Sequence, residues 1–348
     1  MLDSSQPEES LDPQPLSSWS GPVWLGRAAA VVAQFWRRYR TPLNLVLGLG
    51  FLAYVGYRVV RDWRELSLSV DQVSLGAIAL AFGLYGVTFA LSAFVWHRMV
   101  VRFGGPREWR VNLKLFSYTY LAKFLPTPVW FVGGRLAAYQ RHGLSRGRIL
   151  MLTALEMVLQ MLAGGFLLAG LSIDPEQPLT WLYLLLALPL VVVASRPKSV
   201  LLARIGARTT GLPDAAAVRS GDIVEWLLVD VAVWVLAGPF FVCVTGAVFG
   251  SLGLGFVTLW RVWIISNLAA YLSTFLLGGL GILREVSMAW MLSSYVLWPT
   301  AALIAAAARI VMTLAGTSFA GAAYLLTRFA DRSDRQLGLS SDSKEESK

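Results

Sequence analysis

The sequence predicts an all-α polytopic membrane protein with about six full spans and two broken or re-entrant helical hairpins set in inverted repeats. Three observations predict it. Hydrophobic residues make up 56% of the 348 positions and charged residues only 15%, far from the balance of a water-soluble domain. The apolar residues fall in runs close to the length, about 20 residues, that a helix needs to cross a bilayer. Two of those runs are interrupted, one by Pro126, Thr127 and Pro128, the other by Gly278, Gly279, Leu280 and Gly281.

Residues 1–20 are polar, acidic and rich in Pro and Ser, which predicts a disordered tail and reads against a cleaved signal peptide. In residues 21–42, Trp24, Ala28, Val31, Phe35 and Tyr39 recur at helical spacing opposite Arg27, Arg37, Arg38 and Arg40. That segment is either an interfacial amphipathic helix or the positive flank of the next span. Spans are predicted from Leu43 to about Val60 and from Val73 to about Val100. After a basic stretch, Leu115 to Leu125 stops at the two prolines and resumes as Val129 to Tyr139. Each half is short, and proline removes backbone hydrogen bonds, so the pair is predicted to be a hairpin that either crosses or re-enters.

Further spans are predicted over Ile149 to Leu171, Leu179 to Ala194 and Ile223 to Phe249. The second hairpin runs from Phe256 to Leu277 and resumes as Ile282 to Leu297 after its glycines. A last span, Ala301 to Leu326, precedes a cytoplasmic tail at 330–348. The transmembrane domain is therefore expected over 43–329, with one repeat at about 73–172 and the other at about 223–326.

Charge sets the expected orientation. The net charge is +9, from 30 Lys and Arg against 21 Asp and Glu. With the first basic region cytoplasmic, 23 of the 30 basic residues fall inside, three (Arg58, Arg61 and Arg64) outside, and four (Lys123, Arg261, Arg284 and Arg309) in membrane segments. Both termini are then cytoplasmic. Topology accounts for the charge without nucleic acid as a partner.

The repeat is written in short matches. Tyr120, Leu121, Phe124 and Leu125 correspond to Tyr271, Leu272, Phe275 and Leu276, each set just before its break. Leu162, Ala163 and Gly164 correspond to Leu314, Ala315 and Gly316, 44 residues after the tyrosine in one copy and 45 in the other. The first hairpin has basic flanks and the second nearly uncharged ones, so the two enter from opposite sides. Inverted repeats with broken helices meeting near the midplane are a construction of secondary transporters.

Several chemistries lack their residues. One cysteine, Cys243, permits no intrachain disulfide and no Cys-rich metal site, and His97 and His142 sit beside arginines at the ends of apolar segments. No metal site, cofactor or catalytic residue is expected. No G-x-x-x-x-G-K-[ST] run is present, which reads against direct ATP drive.

Charges within the membrane cost about 2.5–3.5 kcal/mol each on insertion scales and so need a partner, a water-filled cavity or a function. For Lys123, Arg135 and Arg284 the choice is between binding an anionic head group, together with Glu285, and snorkelling to the interface. Glu156 and Arg309 occupy nearly corresponding places in the repeats, so an inverted pair brings them together, as a structural ion pair or a gate. Asp230 and Glu225 either mark the cytoplasmic end of their helix or act in coupling. Asn267 and Arg261 read as packing or interfacial residues.

The segment F-L-P-T-P-V-W-F-V-G-G-R, Phe124 to Arg135, followed by Glu156, and the segment G-G-L-G-I-L-R-E, Gly278 to Glu285, followed by Arg309, resemble the transmembrane flippase-like region of the bacterial lysylphosphatidylglycerol synthase family. The resemblance covers roughly Leu43 to Phe329. Trp130 and Phe131 stand where the family has small residues, Leu277 stands where it usually has a proline, and Arg284 is one residue further from the glycines. The resemblance implies a stand-alone member without the C-terminal synthase domain, in a bacterial cytoplasmic membrane, moving an anionic phospholipid or lipid-linked intermediate. Membrane lipids are then its partners and no enzymatic site is expected, with Glu156, Asp230 or Glu285 as titratable candidates for ion coupling. Two other readings stand beside it: a non-catalytic membrane partner of a lipid or glycan biosynthetic enzyme, and a lipid-carrier transferase. The transferase lacks an acidic cluster, since the loop from Ser195 to Asp222 holds only Asp214 and Asp222.

Overall fold

In a computed structural model the chain is an all-helical membrane protein. The structure describes residues 73–124, 128–172, 219–250, 253–277 and 282–345, together with the helical positions Val46, Gly50, Ala53, Tyr57 and Arg61. They belong to one compact unit, Asn44–Lys348. The predicted tail at 1–20, the segment at 21–42, nearly all of the span from Leu43, the span at Leu179 to Ala194, and the break residues Pro126, Gly278, Gly279 and Gly281 lie outside the described residues.

Among the described residues eight α-helices follow in order: α1 (Leu75–Arg102), α2 (Trp109–Leu121), α3 (Pro128–Gln140), α4 (Arg146–Leu171), α5 (Ser220–Phe249), α6 (Phe256–Leu277), α7 (Leu283–Leu292) and α8 (Trp298–Glu345). A 3-10 turn, Ala122–Phe124, continues α2 toward the first break, and Pro128 starts α3, the position where a missing N–H costs least. Ser74 and Ser145 cap α1 and α4 by accepting from the N–H groups of Ala77 and Arg148. Gly104, at φ +79°, ends α1 with a backbone conformation that a side chain would strain.

Among the described residues five helices, α1, α4, α5, α6 and α8, are long and apolar enough to cross a membrane. The second hairpin is therefore lopsided: α6 has 22 residues and α7 only 10, whereas α2 and α3 have 13 each. Lys114 and Arg110 shorten the apolar run of α2, while no acid, and only Arg261 among the bases, interrupts α6 before its glycines. The last helix runs past the predicted end of its span, over 48 residues to Glu345, since nothing after Pro299 removes a backbone donor.

Each substantial packing between these helices has a counterpart when α1 is exchanged with α5, α2 with α6, α3 with α7 and α4 with α8. The α2–α8 contact answers to α6–α4, α3–α4 to α7–α8, α4–α5 to α8–α1, and the α1–α5 contact, the most extensive, maps onto itself. Those two central helices are antiparallel. At one end the N–H of Ser74 donates to the carbonyl of Ala247 at 3.0 Å. At the other, Arg98 donates to Glu225 at 2.9 and 3.0 Å, and Arg102 pairs with Asp222 at 2.7 Å. Glu225 and Asp222 thus mark the end of the bundle where arginines gather. The axis relating the two halves lies across the helices, the geometry of inverted repeats.

Two hydrophobic cores follow from this plan. One joins α2, α3 and α4 to the last turns of α1 around Trp96, Phe116 and Tyr139. The other joins α6, α7 and α8 to the second half of α5 around Phe240, Phe241 and Trp263. Small residues let the halves meet closely: a Cβ on Gly164 of α4 would stand 2.8 Å from the Trp234 ring of α5 and 3.1 Å from Leu268 of α6. Gly164→Leu is expected to lower stability by about 1–3 kcal/mol through overpacking, read as thermal unfolding of the purified chain in detergent.

Candidate functional site

Where the two cores meet there is a cavity of about 140 Å³, far larger than the 10–15 Å³ or so that one water needs. Its walls come from the central turns of several helices: Tyr85, Thr88 and Ser92 of α1, Glu156 and Gln160 of α4, Trp234 and Phe240 of α5, and Trp263, Asn267 and Tyr271 of α6. Tyr120 of α2, Lys123 on the 3-10 turn and Phe131 of α3 complete it. These residues lie near the midpoints of α1, α4 and α5, so the cavity sits midway along the spans. Pro239 interrupts the hydrogen-bond ladder of α5 beside its Phe240 wall.

The wall is amphipathic. Aromatic and aliphatic groups cover most of it, and the polar groups are few and placed. The hydroxyls of Tyr85 and Tyr120 are 2.8 Å apart, and the Tyr120 ring stands edge-on to Phe89. Lys123 opens on the cavity with its ammonium 4.8 Å from the centre of the Tyr120 ring and 5.2 Å from that of Phe131. It forms no ion pair with any described residue, so aromatic faces are its immediate company, an arrangement that favours a cation while leaving its protons free.

The structure brings Arg135 and Glu156 together, a pairing the sequence reading did not name. The two terminal guanidinium nitrogens of Arg135 donate to the Glu156 carboxylate, Nη2 at 3.1 Å. The guanidinium is also sandwiched, 3.5 Å from the Trp96 ring of α1 and 4.1 Å from the Phe131 ring of its own helix, and Arg135 is wholly buried. Trp96 is fixed in turn by donating to the Tyr139 hydroxyl at 2.7 Å. Arg135 does not line the cavity. Its stacked, bidentate guanidinium ties α3 to α1 and α4.

The expected meeting of Glu156 with Arg309 does not occur, because each finds a partner inside its own half. One oxygen of Glu285 accepts from Arg284 Nε at 3.1 Å and from Arg309 Nη1 at 3.2 Å. Arg284 also reaches Met312 Sδ at 3.1 Å. Arg284 and Glu285 are thus mostly buried in a cluster of two arginines and one acid and do not line the cavity, while Arg309 is 37% exposed. Of the residues expected to bind a substrate, Lys123 alone faces the cavity.

The two clusters correspond. In the register of Tyr120 with Tyr271 and Gly164 with Gly316, Arg135 falls within one residue of Glu285, and Glu156 within one residue of Arg309. Each half therefore clamps its short hairpin arm to its last helix by an ion pair at the same place, with the charges exchanged.

Gln160, Tyr85 and Trp234 enter the site without having been expected there. Their signal was available: a glutamine and a tyrosine near the centres of otherwise apolar runs. Tyr120 and Tyr271 were visible only as markers of the repeat. Asn267 lines the cavity while donating to the Trp263 carbonyl at 2.8 Å, and Arg261 holds the carbonyl of Leu171 at the end of α4, a packing role.

No family model matches the chain, and no curated protein matches it.

Removing one member of the buried pair strands the other. Arg135→Ala and Glu156→Ala are each expected to cost about 3–5 kcal/mol of stability, and Arg135→Met with Glu156→Met to recover most of it. Denaturant melts in detergent read this, and a loss below about 1 kcal/mol in the single variants would mean the pair clamps nothing.

Proposed function

We propose that the chain is a membrane translocase for a lipid with an anionic head group, and that Lys123 is the group that receives it. The observation that carries this reading is a lysine without an ion-pair partner among the described residues, opening on an amphipathic cavity midway along the spans. Lysine is a point charge that seeks oxygen anions, and holding it in a bilayer is costly unless a ligand or water takes up its protons. The aromatic walls suit the apolar part of an amphiphile entering beside its head group. Inverted halves around a central site suit alternating access, in which rocking one half against the other opens the same site to either side.

The resemblance of the segments around Arg135 and Arg284 to the flippase-like family belongs to the same reading. In it Arg135, Arg284, Glu285, Glu156 and Arg309 have a changed part. They hold the short hairpin arms in place, and substrate binding falls to Lys123. The arginine-rich end formed by the last turn of α1 and the first turns of α2, α4 and α5 would face the cytoplasm, by the excess of positive charge there. The protein then resides in a bacterial cytoplasmic membrane and needs no catalytic group of its own.

Reconstitution tests this reading. The purified chain in vesicles is expected to move fluorescent phosphatidylglycerol between leaflets, scored by head-group accessibility to a membrane-impermeant quencher. Lys123→Met is expected to slow it about tenfold or more, the loss of one charge-assisted contact, with unfolding temperature unchanged. Equal rates for Lys123→Met and the unaltered chain would remove Lys123 from the site. No movement of phosphatidylglycerol or of a polyprenyl phosphate by the unaltered chain would overturn the translocase reading.

A further inference from the structure

Behind the cavity wall lies a carboxylate that the head-group site does not use. Asp230, on α5, is 1% exposed. One of its oxygens accepts from the Gln160 amide, whose side chain separates Asp230 from the cavity. Its other oxygen, Oδ2, is buried and has no hydrogen-bond partner among the described residues. Asp230 forms no ion pair with any described residue either. An ionised carboxylate in such a place is costly to keep, and a half-satisfied buried acid is an unusual thing to retain in a spanning helix.

The charges around it give it a use. The groups whose fields reach Asp230 are Glu156, on α4, and Lys123, on the turn after α2; Tyr271, on α6, also lies within its field. On α1, Arg98 and Arg102 are paired with Glu225 and Asp222, and on α8 Arg309 is paired with Glu285. Tyr324 and Arg328 lie about four and five turns further along α8 from Arg309. Glu156 is neutralised by Arg135. In the empty site Lys123 and an ionised Asp230 carry opposite charges and balance, neither with an ion-pair partner among the described residues, while the surplus arginine charge of the Glu285 cluster stands on α7 and α8, which supply no residue to the cavity wall. When a phosphodiester binds Lys123 that balance is lost, and an ionised Asp230 faces a new anion.

We infer that Asp230 takes up one proton from water when an anionic head group binds Lys123, and releases it when the head group leaves. The proton bonds to Oδ2, and the Gln160 amide continues to donate to the other oxygen in either state. One lipid anion and one proton then travel together, so the transported unit is neutral and a pH difference across the membrane drives it. This inference rests on the head-group site proposed above.

Dihexanoyl phosphatidylglycerol is the probe, because its phosphodiester keeps one negative charge over the range used. Its affinity for the purified chain in detergent is read from tryptophan fluorescence, Trp234 and Trp263 being in the cavity wall. By linkage, affinity is expected to fall as pH rises, by about tenfold or more between roughly pH 5 and pH 8. Asp230→Asn, which cannot ionise, is expected to bind with the affinity of the acidic state at every pH, and Lys123→Met to bind at none. A second reading needs no variant: infrared difference spectra of the unaltered chain are expected to show a protonated carboxyl band appearing as the probe is added, absent in Asp230→Asn. Binding that requires Lys123 but does not change with pH, with no new carboxyl band, would overturn the coupling and leave the head-group site standing. Absence of binding by the unaltered chain at any pH would overturn both.

Discussion

The antiparallel pairing of α1 with α5 is the constraint on which the other contacts depend. It is the one packing that the exchange of halves leaves in place, and it fixes both ends: a backbone hydrogen bond between Ser74 and Ala247, and two ion pairs between arginines of α1 and acids of α5. With the two ends fixed, the midpoints of the two helices must lie side by side. Tyr85 and Thr88 then face Trp234 and Phe240, and the cavity forms where neither core has enough side chain to fill the space. The exposed ion pairs add about 0–1 kcal/mol each, so they serve to set register more than to hold the bundle together.

The interior charges follow a second constraint, that a charge at bilayer depth needs a partner. Arg135 and Glu156 meet it as a pair, with two hydrogen bonds and two aromatic faces. Glu285 and its arginines meet it with one positive charge in excess. Lys123 meets it with aromatic faces and Asp230 with one hydrogen bond from Gln160, and neither has an ion-pair partner among the described residues.

Much of this was legible in the residues, though not all. Apolar runs of span length marked α1, α4, α5 and α8, the glycine break marked α6 only as the arm of a hairpin, and the short matches around Tyr120 and Tyr271 marked the halves. Charge spacing also singled out every residue of the two ion-pair clusters. It could not say who pairs with whom, because sequence register places Glu156 opposite Arg309 as readily as beside Arg135. The deciding fact is three-dimensional: α3 packs on α4 and α7 on α8, so each last helix meets its own hairpin arm first. Arg135 looked like a ligand because arginine suits phosphate. Its stacking between Trp96 and Phe131, residues 39 and four positions away, has no short-range signature. Gln160 was overlooked because a single amide within an apolar helix is an unremarked polar residue until an acid is found behind it.

The exchange of charges between the two clamps has an electrical consequence. A two-fold rotation about an axis lying in the membrane plane reverses the component of any dipole along the membrane normal. If both halves had arginine on the hairpin arm and glutamate on the last helix, the normal components of their dipoles would cancel. Here the signs are exchanged as well, Arg135 to Glu156 in one half and Glu285 to Arg309 in the other, so the reversal is undone and the two components add. Because α7 carries Arg284 as well as Glu285, its net charge is zero, and a matched movement of the two hairpin arms displaces one elementary charge, that of Arg135 on α3, worth about 2.3 kcal/mol for each 100 mV it crosses. The exchange of signs makes the two clamps electrically unlike although the packings of their helices correspond.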